Sequence, residues 1–218
     1  YTGERGAEYQ RLRQSVSDHP GFELNFRRFR PYLKPSDRVL DFGCGNGGML
    51  RVMLREIPNC EGLEVNPASA EMARTGGVTI YQSINELPKT PTYNAVVTNH
   101  VLEHVRDVCS TLEELRRCIV PGGLLIASLP LDDWRKRRQR SWSRDDVEHD
   151  LHTWTPRLFA NVLYESGYDL VDCHVIHWAW FRQLLPIMKI GLGMPAFHLA
   201  AMLTRSRGLL GVGRVPER

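Results

Sequence analysis

One run constrains this chain more than any other: Val39, Leu40, Asp41, Phe42, Gly43, Cys44, Gly45, Asn46, Gly47, Gly48. An apolar stretch carries a carboxylate, and four glycines follow within six positions. The apolar spacing of Leu50, Met53, Leu54 and Ile57 then reads as a helix. Glycines at such a turn accept positive φ and let a ligand come close to the backbone. A strand, a glycine loop and a helix in that order begin a sheet of parallel strands with helical crossovers.

The remaining periodicity agrees. Strands are expected over 38–43, 60–65, 78–81, 93–98, 124–129 and 169–175. Between them, Pro67 opens a helix, Asp107 caps another, and Thr155 with Pro156 starts a third. Upstream, Tyr9, Leu12 and Val16 recur at helical spacing, as do Phe22, Phe26, Phe29 and Leu33. The expected fold is α/β: a doubly wound, mostly parallel sheet over 38–178, a helical N-terminal cap over 1–37, and a helical tail over 179–218 packed on the same domain. The chain opens on Tyr1, and a native N-terminus upstream of it is expected.

At 218 residues with 42% hydrophobic and 24% charged side chains, the chain can bury a full core, which excludes a disordered or fibrous protein. A net charge of +3 does not by itself argue for nucleic acid. The five cysteines (Cys44, Cys60, Cys109, Cys118, Cys173) are odd in number and lack C-x-x-C spacing. That argues against a disulfide framework or structural zinc and fits a reducing cytosol. Residues 184–203 are long and apolar but contain Lys189, Pro186 and Pro195, so a membrane span is disfavoured.

About twenty residues after the glycine loop stands Glu64, at the end of the second strand. A carboxylate there can accept hydrogen bonds from both hydroxyls of a ribose. Gly43, Gly45 and Gly48 formally satisfy the dinucleotide pattern G-x-G-x-x-G. Asp41 decides against it, because a carboxylate beside the loop repels a pyrophosphate and attracts a cation.

These residues resemble the class I S-adenosylmethionine-dependent methyltransferases. The stretch 39–47 is similar to their first motif and 61–67 (Glu61, Gly62, Leu63, Glu64, Val65, Asn66, Pro67) to their second. The stretch 93–105 resembles the fourth-strand motif of the branch acting on quinones and small molecules, and 115–126 the helix, turn and strand after it. The resemblance implies S-adenosylmethionine as cofactor, with Gly43, Cys44 and Gly45 along its methionine part and Asp41 near its ammonium group. Glu64 would take the ribose hydroxyls, Val65 would pack on the adenine, and Asn99 and His100 would flank the sulfonium. After the third strand the family often carries an acidic residue for the adenine amino group. Here Gln82, Ser83, Ile84 and Asn85 stand there, leaving Ser83 or a backbone carbonyl for that contact.

Methyl transfer to a hydroxyl gains from a base, and histidine suits neutral pH. His152, beside Asp150 and before the Thr155 helix, is the first candidate, and His100 the second. His149 and His152 are expected to contact the acceptor. The pair Glu103 and His104 reads as structural. No grouping with metal-ligand spacing is evident, so no metal is expected.

Residues 134–144 hold six basic side chains and two tryptophans in eleven positions. Arg137 and Arg138 in this run are expected to clamp a small anionic or glycan-type acceptor, since guanidinium binds phosphate and carboxylate bidentately. Binding of single-stranded nucleic acid is disfavoured, because no RNA-binding motif accompanies the run. The tail, with Trp178, Trp180 and Phe181 near Arg182 and Lys189, suits core packing or peripheral contact with a membrane surface. The expected activity is O-methylation. A methyltransferase-like binding module without turnover is the alternative, and a nicotinamide-dependent oxidoreductase a minor one.

Overall fold

A computed structural model describes residues 20–74, 77–132, 150–177 and 207–217. The elements are α1 (Pro20–Phe29), β1 (Arg38–Phe42), α2 (Gly48–Met53), β2 (Asn59–Leu63), α3 (Pro67–Arg74), β3 (Ile80–Tyr81), β4 (Tyr93–Asn99), α4 (Val108–Cys118), β5 (Ile119–Pro130), α5 (Pro156–Glu165), β6 (Asp169–His177) and β7 (Arg207–Arg214). One sheet takes the order β3-β2-β1-β4-β5-β7-β6. The first five strands are parallel, and β7 runs antiparallel between β5 and β6.

Successive side chains of a strand point to opposite faces, and here both faces are covered. Leu40, Val96 and Leu125 pack in a core with Leu112 and Leu115 of α4 and Phe159 and Leu163 of α5. Their neighbours Val39, Val97 and Ile126 pack in a second core with Phe26 and Phe29 of α1 and with Leu50 and Met53 of α2. That alternation gives the central strands their continuous apolar texture in sequence. The helix starts follow the expected chemistry. Asp107 accepts a hydrogen bond from Ser110 N at 3.0 Å, and Thr155 accepts one from Leu158 N at 3.1 Å.

Two expectations need correction. The tail reading over 179–218 does not hold for 207–214, which form β7 rather than helix. The physical reason lies in its glycines. A Cβ at Gly211 would sit 2.3 Å from Phe159 Cε1, so α5 crosses this strand at a distance only glycine permits. Residues 179–206 of the tail lie outside the described residues. The second correction concerns β5, which begins at Ile119 and not at 124. Ile119 pairs with Tyr93, the register then shifts, and Leu124 pairs with Ala95. Gly122, at φ 77°, turns the chain there, and its amide donates to Val215 O at 2.9 Å.

Strand order reverses between β1 and β4, whose carboxyl ends open a crevice where ligands bind in such sheets. Among the described residues no helix is long and apolar enough to cross a membrane.

Candidate functional site

A cavity of about 300 Å³ lies at that crevice. Its floor is the glycine loop. Gly43 and Cys44 both donate their amides to Leu63 O, at 2.8 and 3.0 Å, which sews the loop to β2. Gly43 has φ 78° and a Cβ there would lie 2.3 Å from Val101, so close packing and conformation both require glycine. Gly45 differs. It has φ 53°, and nothing lies within 4 Å of where its Cβ would stand, leaving open space above the backbone.

Two carboxylates face this space. Asp41 is only 2% exposed, and its Oδ2 has no hydrogen-bond partner. Burial, and then the charge of Glu64, pushes its carboxyl up to about 7. Glu64 is better supported. Its Oε2 accepts from Gly45 N at 2.9 Å and its Oε1 from Asn66 N at 2.7 Å. Burial raises its pKa, and those two amides oppose the rise. The Asn66 side chain in turn caps α3, accepting from Ala68 N and Ser69 N. Ser69 contributes a buried hydroxyl without a partner to the same wall. Val65 lines the cavity yet is 53% exposed, an apolar side chain left at its rim.

The opposite wall comes from the end of β4. Asn99 Oδ1 accepts from Asn25 Nδ2 at 2.8 Å, and Asn25 Oδ1 accepts from Arg28 Nη1 at 3.0 Å. Asn25 is itself buried, so α1 is anchored to the strand end by a polar chain under low dielectric. Burial lowers the Arg28 guanidinium to about 10. Phe22 of α1 closes the cavity above Gly48, where a Cβ would lie 2.2 Å from the ring.

His100 follows Asn99 with φ 55°, an uncommon left-handed conformation for a non-glycine residue. Its amide donates to Ser128 O at 2.9 Å, and its Nδ1 lies 3.1 Å from Glu103 Oε1. His104 also lines the cavity, and its Nδ1 lies 3.4 Å from Asp150 Oδ1.

The fold thus brings Asp41, Gly43, Cys44, Gly45, Glu64, Val65, Asn99 and His100 around one cavity. Ser83 is not in its lining; its Oγ accepts from Asn85 N at 3.2 Å and caps a short 3-10 turn. His152 is also absent from the lining. Its Nε2 lies 2.7 Å from the Val105 carbonyl, its amide donates to Glu103 O at 3.1 Å, and its ring sits 5.7 Å from Trp154. Its Nε2 is committed to the Val105 carbonyl, and the ring stands outside the lining of the cavity where a base for methyl transfer is expected. Arg137, Arg138 and His149 lie outside the described residues.

Sequence reasoning missed Phe22, Asn25 and Ser69, and read Glu103 and His104 as structural only. Nothing local distinguishes Phe22 from its helical neighbours Phe26 and Phe29. Their spacing in α1 was visible, but which one faces the cavity depends on how α1 lies on α2. Glu103, His104 and Asp150 also converge, each offering one ligand atom within 4.8 Å of the others. No metal was expected, because these residues lie on segments 46 positions apart.

A family model described as a methyltransferase domain matches residues 17–172. The chain is 28% identical over 199 residues to a trans-aconitate 2-methyltransferase of Acidovorax sp. (strain JS42), covering 84% of this chain and 74% of that one. It is 26% identical over 164 residues to a ubiquinone biosynthesis O-methyltransferase of Cereibacter sphaeroides, covering 66% of each. A solved structure of an S-adenosylmethionine-dependent methyltransferase from Methanosarcina mazei superposes with a TM-score of 0.65 at 15% identity, over 87% of this chain and 97% of that chain.

Proposed function

The chain belongs to the S-adenosylmethionine-dependent methyltransferases, and on that premise we propose that it methylates a hydroxyl oxygen of a small acceptor bearing a negative charge. The cofactor is S-adenosylmethionine, and the cavity residues fit it. A buried, unpartnered Asp41 Oδ2 suits an ammonium group, and the open space above Gly45 suits a ligand chain against backbone. An ionised carboxylate offers about four acceptor positions. Glu64 spends two on Gly45 and Asn66, which leaves capacity for the two ribose hydroxyls. Val65 offers an apolar surface for the adenine. When bound, the cofactor supplies a methyl group already activated by a positive sulfur.

The observation that carries the oxygen reading is His100 on the cavity wall with its Nδ1 held by buried Glu103. A carboxylate partner at Nδ1 fixes that nitrogen as the N–H and directs the basic lone pair to Nε2. His100 then accepts the hydroxyl proton as the oxygen is alkylated, and Asn99 and Phe22 hold the reacting groups in line. The charge on the acceptor is supported by the basic run containing Arg137 and Arg138 and by similarity to an enzyme named for trans-aconitate, a carboxylate. The five unpaired cysteines support action in a reducing cytoplasm, and the apolar tail supports peripheral contact with a membrane.

The test is incubation with methyl-labelled cofactor and paired acceptors, hydroxy acids and sugar acids against their neutral counterparts. The label is expected in alkali-stable methyl ethers, formed faster from the anionic member of each pair. Alkali-labile methyl esters, label on nitrogen or carbon, or equal rates within pairs would contradict the proposal.

A further inference from the structure

Glu103 holds His100 and His104 lines the cavity, and together with Asp150 their side chains converge at its edge. Their ligand atoms lie within 4.8 Å of one another, and His104 Nδ1 stands 3.4 Å from Asp150 Oδ1. Donors bound to one ion at about 2.1 Å in a tetrahedral shell stand roughly 3.4 Å apart. Glu103 is 2% exposed, and one of its oxygens, Oε2, has no hydrogen-bond partner. Buried carboxylate oxygens normally find a donor or a cation.

We propose that Glu103, His104 and Asp150 hold a divalent cation at the wall of the cavity, with coordination positions left open for an oxygen of the acceptor. The two segments that supply the ligands are tied together. Leu151 N donates to Glu103 O at 2.8 Å, His152 N donates to the same oxygen at 3.1 Å, and His152 Nε2 meets Val105 O at 2.7 Å. His152 therefore holds the 150–152 segment against 103–105, which sets Asp150 beside His104. Such supporting contacts are how proteins orient metal ligands. Glu103 Oε1 lies 3.1 Å from His100 Nδ1, so one carboxylate would serve both the cation and the base.

One imidazole nitrogen and two carboxylates form a mixed donor set suited to Mn²⁺ or Zn²⁺ and not to soft ions that prefer sulfur. Three protein ligands leave the shell incomplete. His104 and Val105 line the cavity and Asp150 is exposed, so the cluster reaches both the cavity wall and solvent. A carboxylate or phosphate oxygen of the acceptor would complete the shell. The cation site stands on the cluster itself; only its use by the acceptor rests on the methyl-transfer reading.

The test is calorimetric titration of the chelator-stripped full chain with Mn²⁺ and, separately, Zn²⁺. One saturable site per chain is expected for at least one of them. Asp150→Asn, at an exposed position, and Glu103→Gln should each weaken it at least tenfold, the scale seen when a metal site loses support. Thermal unfolding checks that both variants are folded, and Asp150→Asn decides the matter alone if Glu103→Gln is not. Absence of a saturable site for either cation, or affinity unchanged in folded Asp150→Asn, would overturn the proposal. The three residues would then be an ion-paired brace for the 150–152 segment. Alkali-stable methylation without metal binding would overturn this inference and leave the functional proposal standing. Metal binding with methylation on another atom would do the reverse.

Discussion

With the cofactor's ammonium group at Asp41, as proposed above, binding is expected to depend on pH in one direction. Its carboxyl titrates at about 7 because it is buried and because Glu64 is near. A ligand carrying an ammonium group binds the ionised form, so affinity rises as pH rises toward 7 and a proton leaves on binding. With a pKa of about 7 the ionised fraction grows from about 0.03 at pH 5.5 to one half at pH 7, a gain of about 15-fold. The measurement stays below pH 7 because an α-amino group itself loses its proton near 7.7–8.0. Isothermal calorimetry with S-adenosylhomocysteine, which keeps the ammonium group, reads the affinity. Repeating it in buffers of different ionisation enthalpy counts the proton, expected at about one half per site at pH 7. Asp41→Asn should weaken binding and flatten its pH dependence. The same shift acts on the unliganded fold with the opposite benefit. A carboxyl whose folded pKa exceeds its unfolded value of 3.8 loses stabilising influence as pH rises from 3.8 through about 7, on the order of 4 kcal/mol in total. Asp41→Asn should therefore raise the unliganded Tm at pH 8. Affinity that stays level between pH 5.5 and 7 in folded wild type would refute the reasoning.

Two further outcomes follow from packing and from ring orientation. Gly211→Ala puts a methyl group 2.3 Å from Phe159 Cε1 on β7 and should cost about 1–3 kcal/mol in urea unfolding; an unchanged midpoint would mean that α5 does not press on this strand. His100→Ala should lower kcat by about 10²–10⁴-fold, whereas His152→Ala should lower it only about fivefold, the scale of one hydrogen bond of ~1 kcal/mol. Single-turnover rates compare them, and an equal loss in both would return His152 to the reaction.

The part of the cavity built from β1 and β2 was legible in the linear order of residues. Asp41, the glycines and Glu64 sit at the ends of adjacent strands β1 and β2, and the parallel pairing Asp41 with Gly62 and Phe42 with Leu63 carries them to one edge. Local chemistry and strand order thus suffice to bring them together. Ser83 stands outside the cavity lining, and its hydroxyl serves a local turn, a use that competes with any distant contact. His152 departs from expectation in its partner: its neighbour Asp150 looked like that partner along the chain, but the ring turns to Val105 across 47 positions.

By itself the amino-acid sequence determined the alternation of strand and helix, because period-two and helical apolar spacing are local properties of a chain packed on both faces of a sheet. It also determined the glycine loop and the carboxylates that face it, because φ and charge belong to individual residues. Only the tertiary structure decided that 207–214 return as β7, because a strand of Gly208, Leu209, Leu210, Gly211, Val212 and Gly213 has little local preference and is selected by the gap between β5 and β6. Only the tertiary structure decided which phenylalanine of α1 closes the cavity, which histidines line it, and that Glu103, His104 and Asp150 meet. Those outcomes depend on contacts between segments far apart in the chain, where no local periodicity carries the information.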